Sequence, residues 1–213
     1  MSEVDGYPVL ASDEVYSGRV IGLRMDSIRM SDGSVAQRDV VEHPGAVAVV
    51  AIDEDDPRGV NVVTVSQYRH PLRLRLVELP AGLLDVDGES ALLGAQRELA
   101  EEALLAADEW HVLLDIFTSP GMSNEAVRVY LARGLRPAPR PADFEVEHEE
   151  LTMTVERVSL DELVRQALRG ELTNAIAVAG VLALAHVVGA GIDGAGLSLL
   201  RPADVPWPAR PGR

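Results

Sequence analysis

Apolar residues run without a break from Ala46 to Ile52, and Val60 to Tyr68 is a second, mostly apolar run. Runs of that length suit strands buried on both faces. The polar stretch Asp53-Glu54-Asp55-Asp56-Pro57-Arg58-Gly59 lies between them and reads as the turn of a hairpin. Upstream, residues 14–43 are β-prone and are broken by the turn signal Ser31-Asp32-Gly33-Ser34, and Val77 to Pro80 is a short extended piece. The period changes between Glu89 and Leu105. There Leu92, Leu93, Gln96, Leu99 and Ala103 recur at helical spacing, with glutamates on the other side. Trp110 to Thr118 and Val127 to Leu131 return to strand character, and Trp110 and Phe117 are expected in the core. A Pro-rich loop, Arg136 to Pro141, leads into an acidic run, Glu145 to Glu150, and then into a strand from Met153 to Val158. Ser159 and Glu162 have capping-box spacing for a helix reaching Arg169 and stopping at Gly170; Asn174 is placed to cap one more. Strands, helix, strands, helix, helix is the order of an α+β protein.

The segment Ala175 to Ile192 is apolar apart from His186 and, at 18 residues, only just long enough to span a bilayer. Its alanines and glycines suit a helix packed closely against another element, and that is the reading adopted. The first residues, MSEVDGYPVL, lack the basic and apolar regions of a secretion signal, so a cytoplasmic protein is expected. The formal charge of −15 argues against a nucleic-acid or anionic-membrane partner. Every one of the 19 basic residues is Arg. With no Lys and no Cys, the chain has no Schiff-base lysine, P-loop lysine, thiolate nucleophile or disulfide.

Chemistry is concentrated in the middle third. Glu98 and Glu102 are four residues apart and stack on one helix face, with Glu101 beside them. Like charges at that spacing oppose helix formation, and a divalent cation is the natural compensation. Mg²⁺ takes oxygen ligands, often one or two carboxylates completed by water and substrate phosphate. Arg97 is placed to hold Glu89 or Glu101, and Gly82 and Gly88 bracket a loop at the start of the helix.

Gly82, Glu89, Arg97, Glu98, Leu99, Glu101, Glu102 and Leu105 together resemble the signature box of the Nudix hydrolases. The chain departs from that box twice. Six residues rather than five separate Gly82 from Glu89, and Leu104 replaces the Gly that usually ends the helix, which implies a differently shaped helix exit. Outside the box, Ser66-Gln67-Tyr68-Arg69, Val77 to Gly82, Thr118 to Glu125, Glu147 to Glu150 and Gly170 to Asn174 are similar to the ADP-ribose pyrophosphatase subfamily.

The resemblance implies a Nudix fold, a mixed β-sheet sandwiched between helices with an N-terminal antiparallel β extension. The parts are expected at 1–44 (extension), 45–192 (catalytic domain) and 193–213 (a mobile Pro-rich tail). It implies Mg²⁺-dependent hydrolysis of ADP-ribose to AMP and ribose 5-phosphate, with Mn²⁺ as a substitute metal. Another nucleoside diphosphate derivative is the alternative substrate, and a non-catalytic ADP-ribose sensor is disfavoured by the intact Arg97 and glutamate set. Glu98, Glu102, the Ala81 carbonyl and Glu150 are the implied metal ligands. Glu89, Arg97 and Glu101 are implied to support catalysis. Glu150 is the first choice for a catalytic loop carboxylate, with Glu149 second and Glu147 third. Arg38, Arg69, Glu78, Met122 and Ser123 are implied substrate contacts, and a homodimer is implied in which the N-terminal strands reach the partner's site.

Overall fold

A computed structural model of the chain describes residues 6–57, 59–141 and 151–210. The strands β1 (Val9–Ser17), β2 (Gly22–Arg29) and β3 (Val35–Glu42) form a separate antiparallel sheet in the order β1-β2-β3. The expected turn at Ser31 to Ser34 links β2 to β3; it closes with Met30 N–H donating to the Ser34 carbonyl, and Gly33 takes a positive φ. The main sheet comprises β4 (Ala46–Asp53), β5 (Asn61–Arg69), β6 (Leu74–Glu78), β7 (Ala81–Leu83), β8 (Leu105–Phe117), β9 (Ala126–Pro137), β10 (Thr154–Ser159) and β11 (Arg201–Pro202). Its order is β10-β5-β4-β9-β8-β11, with β6 added on β5 and β7 on β4. The pair β4/β9 is parallel and the others are antiparallel, so the sheet is mixed.

The run Ala46 to Ile52 explains the layering. Ala46, Ala48, Val50 and Ile52 face one apolar cluster, and Val47, Val49 and Ala51 face another. On the first face lie α2 (Leu160–Arg169) and α3 (Ala175–Gly189); on the second lies α1 (Ala91–Ala103). A strand covered on both sides has no polar face to offer, which is why its sequence does not alternate. Each of its valines contributes on the order of 1.5–3 kcal/mol by burial. The β4/β5 hairpin forms only at its turn end, through Ile52↔Val62 and Asp53↔Asn61. Beyond it the strands splay, β7 takes the vacated edge of β4, and β5 pairs instead with β6 and β10.

Both predicted caps hold. The Ser159 side chain accepts from Glu162 N–H, Gly170 ends α2 in the left-handed region, and the Asn174 side chain accepts from Ala177 N–H. Within the segment Ala175 to Ile192, the packed helix covers 15 residues, Ala175–Gly189, and no helix among the described residues is long and apolar enough to cross a membrane. At Gly180 a Cβ would approach Leu79 to 2.9 Å and Val50 to 3.0 Å, so the small residue lets α3 lie directly on the sheet.

Four expectations need correction. Leu93 and Gln96 are exposed, and the apolar face of α1 is Leu92, Ala95, Leu99 and Ala103, while its glutamates are buried. Phe117, the last residue of β8, is 53% exposed; Trp110 does pack inward, edge-on to Tyr130. Leu104 takes the left-handed conformation itself (φ 56°, ψ 38°), so the exit of α1 keeps the shape a glycine would give. The segment expected as a mobile tail is docked through residue 210: β11 pairs with β8, and Ala203, Val205 and Trp207 cover the cluster on the α1 side.

Candidate active site

The site is built where α1 meets the strand that precedes it. The helix starts at a Ser90 cap, whose hydroxyl accepts from Leu93 N–H at 3.2 Å, and runs to Leu104, whose N–H returns to the Ala100 carbonyl. Its acidic face is turned toward β7, where Gly82 pairs with Val47. A methyl group on Gly82 would collide with the Glu98 carboxylate, so the absence of a side chain there is what lets Glu98 lie against the strand. One residue earlier, Ala81 N–H donates to Glu102 Oε2 at 3.0 Å.

Arg97 is the hub of the cluster. Its Nε and Nη2 donate to the two Glu89 oxygens at 3.0 and 3.1 Å, while Nη1 donates to Glu98 at 2.6 Å and to Glu101 at 3.0 Å. One guanidinium therefore joins the loop before the helix to two carboxylates on it. Glu98, Glu101 and Glu102 are all buried. Burial pushes the Glu98 carboxyl up to about 7; Arg97 pulls it back and repulsion from Glu101 adds to the rise. Arg97 itself is held well above its usual value, first by its bond to Glu89.

Among the described residues no three His, Asp or Glu side chains converge into a metal-binding group on their own. Arg97 engages Glu98 and Glu101, and the Ala81 N–H engages Glu102. The donor set nonetheless fits a hard divalent cation: the oxygens are carboxylates, three glutamates are buried around one arginine, and a glycine opens the strand beside them. Mg²⁺ needs only one or two such carboxylates when water and phosphate complete its shell.

The other expected residues fall into three groups. Arg69 on β5 and Glu78 on β6 pair side chain to side chain, with Nε–Oε1 2.9 Å and Nη2–Oε2 2.6 Å; Glu78 is buried and Arg69 half-exposed. Met122 and Ser123 sit on the loop after β8, tied to the end of β3 by Val41 N–H donating to the Met122 carbonyl at 2.8 Å and by a Val41–Ser123 bridge. Arg38 lies earlier on β3, exposed, and donates to the Gln37 carbonyl. Glu147, Glu149 and Glu150 lie outside the described residues.

The docked segment went unread in the sequence. Arg128 on β9 is 2% exposed, is paired bidentately with Asp115 and lies 4.9 Å beneath the Trp207 ring. Trp207 was the available signal, since a large aromatic in a Pro-rich run is rarely left in water.

A family model described as the NUDIX domain matches residues 42–178. The chain is 47% identical over 211 residues to the ADP-ribose pyrophosphatase of Mycobacterium tuberculosis (strain ATCC 25618 / H37Rv), covering 99% of this chain and 95% of that protein. It is 35% identical over 156 residues to the methanol dehydrogenase activator of Bacillus methanolicus, covering 73% and 80%. A crystal structure of an ADP compounds hydrolase superposes with a TM-score of 0.72 at 20% identity, over 90% of this chain and 99% of that one, a likeness of fold.

Proposed function

The chain belongs to the Nudix family as a pyrophosphohydrolase, and from that premise we propose that it hydrolyses the pyrophosphate of ADP-ribose, giving AMP and ribose 5-phosphate. The observation that carries the reading is the buried face of Glu98, Glu101 and Glu102 set against Gly82, with Arg97 paired to Glu98 and Glu101. The name of the M. tuberculosis relative, an ADP-ribose pyrophosphatase, supports ADP-ribose as the substrate.

Glu98, Glu102 and the Ala81 carbonyl would hold Mg²⁺, or Mn²⁺ in its place, with Glu150 joining from the acidic loop. Such an ion, when bound, neutralises phosphate charge and makes water a better nucleophile. The rest of the work belongs to the chain. Arg97 fixes Glu89, Glu98 and Glu101 in one arrangement, so they need not reorganise when substrate arrives. Arg69, steadied by buried Glu78, offers its exposed edge to a phosphate. Arg38, Met122 and Ser123 contact the adenosine half or the terminal ribose. Glu150 accepts the proton of the attacking water, with Glu149 as its alternate and Glu101 as the fallback inside the box. The protein acts as a homodimer in the cytoplasm. Hydrolysis of another ADP-linked compound is the second reading, because the B. methanolicus relative is named for a different role, activation of methanol dehydrogenase.

Incubation with a panel of ADP-linked compounds and Mg²⁺, followed by mass spectrometry, tests this. Release of AMP and ribose 5-phosphate from ADP-ribose in preference to the rest is the expected result. Preference for another member moves the assignment to the second reading, and no AMP from any of them overturns both. Glu150→Gln is expected to slow turnover by about 10²–10⁴-fold at little change in KM. A loss confined to Glu149→Gln would move the role one residue back.

A further inference from the structure

The segment 201–210 crosses the sheet and ends on the residue that clamps Arg97. It is fastened at several points. Arg201 and Pro202 pair with Val112 and His111, and Arg201 bonds Asp115 at 2.7 Å. The Tyr130 hydroxyl donates to the Ala203 carbonyl at 3.4 Å and Arg128 Nη1 to the Val205 carbonyl at 2.7 Å. Trp207 then stacks on Arg128. Past this anchor, Arg210 Nη1 donates to the backbone carbonyl of Glu89 at 3.3 Å. A cavity of about 270 Å³, lined by Ser90, Leu92, Tyr130, Val205, Trp207 and Arg210, separates the segment from the start of α1. The Arg210 bond therefore spans a gap instead of capping a packed interface.

That placement works against stability. A cation beside a helix N-terminus faces the positive end of the helix dipole. Arg210 Nε and Nη2 and Trp207 Nε1 are also buried with no hydrogen-bond partner among the described residues, each at a desolvation cost. What the arrangement does provide is position. From Arg210 the bonds run to the Glu89 backbone, from the Glu89 carboxylate to Arg97, and from Arg97 to Glu98 and Glu101.

We propose that Arg210, held by the Trp207–Arg128 stack, is a positioning residue for the hydrolytic centre, setting the height of Glu89 and through Arg97 the place of the buried carboxylates. The inference rests on the reading of this centre as hydrolytic, whichever ADP-linked compound it cleaves.

Arg210→Met keeps the stem that lines the cavity and removes the donors, and Arg210→Lys restores a donor. The readouts are kcat and KM on the compound the wild type cleaves fastest, binding of Mn²⁺ alone followed by electron paramagnetic resonance, and Tm. Arg210→Met is expected to lower kcat about tenfold or more at nearly constant KM. It should also weaken Mn²⁺ binding and leave Tm equal or higher, while Arg210→Lys recovers most of the rate. A kcat and Mn²⁺ affinity within twofold of wild type for Arg210→Met overturns the inference, as does a rate loss that follows a fall in Tm. Should Arg210→Met not fold, Arg210→Gln, whose shorter amide falls short of the Glu89 carbonyl, is read by the same criteria. A wild type that cleaves no ADP-linked compound overturns the functional reading and this inference with it; an active wild type beside an unaffected variant overturns the inference alone.

Discussion

Gly82 and Leu104 bracket the box helix and reverse the usual logic of glycine. Gly82 is needed for space, since any Cβ there would strike the Glu98 carboxylate. Gly82→Ala is expected to leave the far-ultraviolet circular dichroism spectrum intact while lowering turnover by about 10²-fold, because the displaced group is at the chemistry itself. Leu104 sits where glycine would be the easier residue. Its left-handed conformation costs about 1–2 kcal/mol, and it is held by the N–H bond to the Ala100 carbonyl. Replacing it with Gly removes that strain, loses packing from a side chain already 43% exposed, and adds unfolded-state freedom of about 0.5–1 kcal/mol. These terms nearly cancel. Urea denaturation should show Leu104→Gly within about 1 kcal/mol of wild type, whereas Leu105→Ala, at the buried neighbour, should lose about 2–5 kcal/mol.

At the scale of elements, the segment 201–210 is held by charge as much as by apolar cover. Burial raises the pKa of Asp115, but bonds from Arg128 and Arg201 more than reverse this and hold it below the usual carboxylate range. A carboxylate depressed in the folded state adds stability above its unfolded value, near 3.9, and that stability is lost as pH falls through the folded value. Acid below about pH 4 should therefore loosen this fastening. As pH is lowered from 6 to 3, urea midpoints should fall steeply for the wild type and less steeply for Asp115→Asn, which starts lower at pH 6. The contrast between this segment and β4 shows what was legible. The strand Ala46 to Ile52 declares its double burial in a continuous apolar run, and Ser159 and Asn174 declare caps through local spacing. The docking of Trp207 on Arg128 joins residues far apart in sequence, inside a composition that suggests exposure. The Arg69–Glu78 pair joins side chains from two strands, which no local pattern encodes, and the glutamate face of α1 is buried against the periodicity rule. Spacing was enough to locate the carboxylates and Arg97 beside them, with Glu89 or Glu101 as its partner, but not that the one guanidinium holds Glu89, Glu98 and Glu101 at once.

For the whole molecule, the N-terminal sheet is the part a single chain leaves unfinished. Every residue of β1 is exposed, including Val9, Leu10, Val15 and Tyr16, and β1 is an edge strand. An apolar edge of that length is covered in native proteins or it aggregates. Cover by a second copy accords with the proposed homodimer. Sedimentation velocity at micromolar concentration should give a dimer, and Val9→Glu with Val15→Glu should shift it to monomer without unfolding the main sheet. A different exposure arises before the fold exists. Strand β4 is completed by β9, its parallel neighbour, which begins about eighty residues later in the chain. At roughly 5–20 residues per second, a ribosome needs about 4–16 s to deliver that partner. For that interval a nascent chain carries AVAVVAI, uncharged and without proline, the kind of segment that self-associates as stacked strands. Slow codons between residues 53 and 126 lengthen the interval, so soluble yield depends on the pace of translation there as well as on the stability of the finished fold.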